Sequence, residues 1–135
     1  MAAFSGSAMY LAWIYSGGTT VLNTDFRQFD WTPSLALIDS TAGADTFREY
    51  ISGIGEGGDI SLSCVMQASG TALITALARA TSGTIVYGPE GTATGKPKST
   101  IPAISKGPAY SQAYDDVVEF KVSWQQSAAE TNTTW

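Results

Sequence analysis

The chain has 135 residues, with seven lysines and arginines against twelve acidic residues, no histidine and one cysteine. That length suits one domain with its own core, and a hydrophobic content of 44% argues against general disorder. Without histidine, Ser-His-Asp and Cys-His catalysis are excluded, as is a His-ligated metal, and one cysteine excludes internal disulfides and cysteine zinc clusters.

The formal net charge is −5. The cations are scattered, and only Lys96 and Lys98 stand close together. Tight nucleic-acid binding needs clustered cations to neutralise phosphates, so none is expected; a mildly negative chain instead lets a polyanion pass without sticking. Only 14% of residues are charged, against roughly 25% in a typical soluble protein. A hydroxyl-rich, weakly charged surface suits contact with other proteins, because little charge must be desolvated. No signal peptide is expected, since the apolar run 8–15 is short and no cation precedes it. The run is also well under the roughly 20 residues of a membrane span, so no membrane binding is expected.

In chain order, residues 1–7 read as a small, polar arm, and 9–15 as a strand ended by Gly17-Gly18. Residues 19–31 are rich in β-formers up to Pro33. Ser34–Asp39 is a short apolar strand, and 40–45 a loop. Period-two alternation over 46–51 predicts a strand, with a helical turn after Asp45 as the alternative. The glycines of 53–58 predict a turn. They are no phosphate loop, because the Walker lysine and following helix are missing. Residues 59–68 alternate cleanly, with Ile60, Leu62, Cys64 and Met66 on one face, so Cys64 is expected as a small buried hydrophobe. The period then changes. Leu73, Leu77 and Ala80 stand at i, i+4, i+7, and the spacing predicts a helix over 69–80, capped by Ser69 and followed by Gly83.

A short strand over 84–87 is stopped by Gly88-Pro89, and 91–97 is a loop. Residues 99–105 read as a strand that Pro102 confines to an edge or a bulge, and Gly107-Pro108 as a turn. The best pattern is 116–125, with Val118, Phe120, Val122 and Trp124 on one face and Glu119, Lys121, Ser123 and Gln125 on the other. Ten residues extend roughly 33 Å, against a domain radius of gyration of about 14 Å. So long and regular a strand is expected either at the centre of its own sheet or paired with another subunit. Head-to-tail contacts with a closing rotation would join the sheets into a barrel without edges. The end, 127–135, is polar apart from Trp135 and reads as a second arm. Trp13 and Trp124 sit in apolar strand patterns and are expected in the core. Trp135 has no local core and is expected to dock on a neighbour. Acidic pairs such as Asp25/Asp30 and Asp115/Asp116 read as solvated turns rather than a catalytic pair.

Four features together resemble the major tail proteins, or tail tube proteins, of long-tailed bacterial viruses. They are Asp39-Ser40-Thr41 leading to the stretch from Asp45 through Arg48 to Gly53; the strand 59–68 followed by the single helix; Asp115-Asp116-Val117-Val118-Glu119-Phe120 opening a strand that ends in Trp124-Gln125-Gln126-Ser127; and the two polar arms. The resemblance implies one tail-tube domain over 1–135: a mainly β sandwich with one α-helix packed against it, and arms at about 1–7 and 127–135. It implies hexameric rings stacked into a hollow tube that conducts viral DNA, with strands joining into a ring-wide closed β-barrel. Assembly contacts are then expected at Asp39, Thr41, Asp45, Arg48, Asp115, Asp116, Glu119, Lys121 and Trp135. The expected partners are other copies of the chain, a tape measure protein and tail terminator or tip proteins. The expected location is the virion tail, assembled in the host cytoplasm, with no cofactor and no catalytic role. The alternatives are another virion part or contractile injection tube, and a carbohydrate-binding β-sandwich using exposed tryptophans.

Overall fold

The computed structural model describes residues 5–22, 26–65, 70–115 and 118–135. Ten strands and one helix follow in order: β1 Tyr10–Tyr15, β2 Gly18–Val21, β3 Phe26–Trp31, β4 Ser34–Asp39, β5 Tyr50–Glu56, β6 Asp59–Val65, α1 Gly70–Ala76, β7 Ser82–Gly88, β8 Pro97–Ser111, β9 Glu119–Gln126 and β10 Thr131–Thr134. Eight strands form one antiparallel sheet in the order β2-β1-β7-β8-β9-β6-β3, with β10 added beside β8. β4 and β5 form a separate two-stranded sheet. Among the described residues, no helix is long and apolar enough to cross a membrane.

The large sheet folds over on itself. Phe29 of β3 packs on Tyr87 of β7 with ring centroids 4.8 Å apart, although β8, β9 and β6 lie between those strands in the sheet. Trp13 of β1 likewise meets Trp124 of β9 at 5.8 Å across β7 and β8. The enclosed face collects the apolar half of each alternating strand: Leu11 and Trp13, Ile85, Ile101 and Ala103, Phe120, Val122 and Trp124, and Ile60, Leu62 and Cys64. Helix α1 adds Ala76, with Leu77 just beyond its end, and the Trp13 indole N–H donates to the Ala76 carbonyl at 2.9 Å. Of the expected inward set Val118, Phe120, Val122 and Trp124, the last three are buried and Val118 is half-buried just before the strand; Cys64 is buried as expected.

Several expectations change. The strand expected over 116–125 is shorter, Glu119–Gln126, and lies between β6 and β8, the central of its two expected placements. Asp116 falls outside the described residues, as do the proposed cap Ser69 and residues 66–68. The longest strand is β8, fifteen residues running through both Pro102 and the Gly107-Pro108 step. Pro102 is tolerated inside the sheet because its neighbour on one side changes there from β10 to β9. Its carbonyl accepts from Ser127 N–H at 2.9 Å, and no donor is required of it. Gly107 is a bulge rather than a turn: its φ is +93°, the register shifts between Ser105 and Pro108, and its N–H donates to the Ser105 hydroxyl at 3.2 Å. The helix ends at Ala76, earlier than its apolar stripe suggests, with Ala80 at φ +68°. Residues 46–49 belong to a loop, and the strand starts at Tyr50 and runs through Gly53 and Gly55 to Glu56. The terminal segment, read as an arm, is paired as β10 along Pro97–Thr100.

Candidate functional site

Two ends of the molecule project from the core, at opposite ends of β9. The β4–β5 hairpin rises beside Gln126, where Gly57 and Gly58 connect it to β6. Gly58 allows this because a Cβ there would lie 1.6 Å from the Thr32 carbonyl oxygen. At the other end, β8 and β9 run on together past β7 to the Tyr114-Asp115 turn.

Every residue of β4 is exposed, and no strand of the main sheet pairs with the hairpin among the described residues. Its apolar side chains are open: Leu37 is 62% exposed, Ile51 54% and Phe47 83%, with Leu35, Ile38 and Tyr50 comparable to the first two. Its loop is nevertheless well organised. The Asp39 carboxylate accepts from Thr41 N–H at 2.9 Å and from the Arg48 guanidinium at 3.2 Å. The Thr41 hydroxyl accepts from Glu49 N–H at 2.8 Å, and Asp45 accepts from Ala42 N–H at 2.6 Å. Hydrogen bonding from Thr41, first through its side chain and then its backbone, holds the Asp39 carboxyl below the usual carboxylate range, with a smaller contribution from Arg48. Four of the expected contact residues, Asp39, Thr41, Asp45 and Arg48, are thus gathered in one loop.

The others lie elsewhere. Glu119 pairs with Arg27 of β3, Lys121 points outward from β9, and Asp115 is exposed in the distal turn. Trp135 lies against its own chain, edge-on to Tyr10 at 5.3 Å and under the Lys98 ammonium at 4.7 Å. Its backbone N–H donates to Lys96 carbonyl at 2.9 Å. The residues that sequence reasoning passed over are the open apolar ones of the hairpin. Their signal was present: Leu35-Ala36-Leu37-Ile38 is a continuous apolar run, the pattern of a strand covered on both faces.

A cleft of about 540 Å³ separates the hairpin root from the segment after β9, between Pro33, Leu35 and Gly55 on one side and Ala128, Ala129 and Glu130 on the other. Its polar groups are engaged with one another. Gln126 donates to Glu130 at 2.7 Å and to Ala128 carbonyl at 2.9 Å, and accepts from the Trp31 indole at 3.1 Å. The bond from Gln126 helps hold the Glu130 carboxyl below its ordinary value, after the larger effect of Glu130's own backbone N–H. No group of three or more metal-ligating side chains occurs among the described residues.

No protein-family model matches the sequence, and comparison with curated proteins gives no match. Solved structures do match, over nearly the whole chain. A chain from the tail of an empty gene transfer agent particle, refined with C6 symmetry, superposes with a TM-score of 0.74 at 14% identity, covering 98% of this chain and all of the other. The SPP1 tail tube gives 0.72 at 10% identity, covering 98% of this chain and 80% of the other. A chain of an extracellular contractile injection system, the PVC sheath–tube complex, gives 0.71 at 10% identity, covering 98% and 93%. The chain has the tail-tube fold.

Proposed function

We propose that this protein is the repeating structural subunit of a viral tail tube, assembling into rings, six copies to a ring, that stack into a hollow conduit for DNA. The observation that carries this reading is the end-to-end likeness to tail chains, one of them refined with sixfold symmetry. The hairpin supports it, because so much open apolar surface is tolerable only in a chain that spends its life assembled. Among the described residues, unpaired edges remain on β2 and β3, and on β8 beyond β7. Pairing such edges around a ring would close the sheets into one barrel. Each copy carries a formal −5 with scattered cations, which favours passage of DNA without adhesion. The expected location is the virion tail after assembly in the host cytoplasm, with a tape measure protein inside the tube and terminator or tip proteins at its ends.

The test is electron microscopy of the concentrated purified protein. Rings or tubes are expected. Monomers alone, across a wide range of salt and concentration, would contradict the reading. The likeness to the injection-system chain favours a second reading, the inner tube of a contractile device. A sheath that copurifies with native tubes would select it.

A further inference from the structure

We propose that the β4–β5 hairpin is a hinged flap, and that in the free subunit it closes over the cleft at its own root, laying Leu35 against Ala128 and Ala129 of the same chain. The two walls of that cleft are held differently. The far wall is fixed. The Gln126 side-chain amide donates to the Ala128 carbonyl at 2.9 Å and to the Glu130 carboxylate at 2.7 Å. The Ser127 N–H donates to the Pro102 carbonyl at 2.9 Å, and β10 beyond is paired along β8. The near wall is the hairpin itself, through Pro33, Leu35 and Gly55. It joins the body by two short legs, Thr32-Pro33 and Gly57-Gly58, neither of which lies in a strand. The Gly57 carbonyl accepts from the Gln125 side chain at 2.7 Å, whereas the Gly58 carbonyl accepts from the Gln126 N–H at only 3.5 Å, the outer limit of a hydrogen bond. A few residues at the ends of elements, lightly tied, are what a hinge requires.

The chemistry of the walls favours closure. Leu35 is 53% exposed, and Pro33, Ala128 and Ala129 are exposed as well. Apolar walls with water between them gain by meeting. The fixed wall offers alanines, so no long side chain blocks the approach. Its polar side chains, Gln126 and Glu130, are already engaged with each other, so closure leaves neither unmet. Covering one leucine and two alanines favours the closed form by roughly tenfold. A two-stranded ribbon alone is marginal in water, and closure gives its root a third surface. Only the root is covered; Leu37, Ile51 and Phe47 stay open. The closure does not depend on the tail-tube reading, but its consequence does: the flap must swing back to its open position before the subunit joins a ring, so closure restrains premature assembly.

Two cysteine pairs test it: Leu35→Cys with Ala129→Cys across the cleft, and Leu37→Cys with Ala129→Cys farther along the same strand. All three positions are exposed, so both variants should fold, checked by circular dichroism and thermal unfolding of the reduced proteins. The native Cys64 is buried and stays out of the reaction. A disulfide requires Cα atoms within about 7 Å of each other. In dilute protein with oxidised glutathione, the first pair should close an intramolecular disulfide roughly tenfold faster than the second. The oxidised first variant should form no rings or tubes where the reduced one does, as followed by sedimentation and electron microscopy, and reduction should restore them. Equal rates for the two pairs, or slow closure of both, overturns the proposal, as does an oxidised variant that assembles like the reduced one. If the reduced variant itself does not assemble, the rate comparison alone decides. Failure of the unaltered protein to assemble counts instead against the tail-tube reading, and the rate comparison still decides closure.

Discussion

Trp13 is the residue on which most of the fold's layers meet. It is fully buried, packs on Trp124 from the far side of the folded sheet, and donates its indole N–H to the last residue of α1. Trp13→Phe keeps an aromatic ring but leaves the Ala76 carbonyl without that donor and opens a small gap. The cost should be about 2–3 kcal/mol, read as a lower urea midpoint with unchanged slope. Ser105→Ala should cost about 1–2 kcal/mol in the same assay. Its buried hydroxyl both donates to Leu77 carbonyl at 2.8 Å and accepts from Gly107, and alanine leaves both groups unmet. Asp39 behaves differently because it is exposed. Its folded pKa is depressed, so its contribution to loop order is present above the ordinary value of 3.8 and is lost as pH falls through the lowered one. The Thr41 amide resonance should therefore hold its position from neutrality to about pH 4 and shift in more acidic solution. In Asp39→Asn it should show no such transition.

At the scale of elements, period-two alternation located β6 and the core of β9, because each has one face in the core and one outward, while apolar content between glycine and proline stops located β1 and β7. It failed where covalent geometry mimics an ending. Pro102 and Gly107-Pro108 look like stops, yet β8 continues through them, since one occupies a change of neighbour and the other a bulge. It failed again at 127–135, where Thr131–Thr134 lacks an apolar pattern and pairs through its backbone, with Trp135 as the anchoring side chain. These placements depend on partners far along the chain, which local sequence does not encode. β9 gives the sharpest test of the new arrangement. Val122 stands opposite Leu62 on one side and Pro108 on the other, so proline there removes a ladder donor inside the sheet. Val122→Pro should abolish the cooperative unfolding transition and the dispersed amide spectrum. An edge strand would accept the same change far more readily.

At the scale of the whole molecule, the core was legible and the open hairpin only half so. The loop residues Asp39, Thr41, Asp45 and Arg48 could be named from the sequence, and they do converge. The strand that leads into that loop reads in sequence as a short apolar strand, and an apolar run looks the same whether its own chain covers it or leaves it open. Only the folded chain shows that strand left open. The distinction has a thermodynamic consequence. A subunit that hides its hairpin only in company is stabilised by association, and its apparent stability then depends on concentration. The melting temperature of the unaltered protein should rise as the protein is concentrated through the range where rings appear. Leu37→Gln with Ile51→Gln together should melt like the dilute unaltered protein at every concentration in that range. A melting temperature that stays flat while rings form would mean that assembly covers surface other than the hairpin, and the open ribbon would then need a different partner.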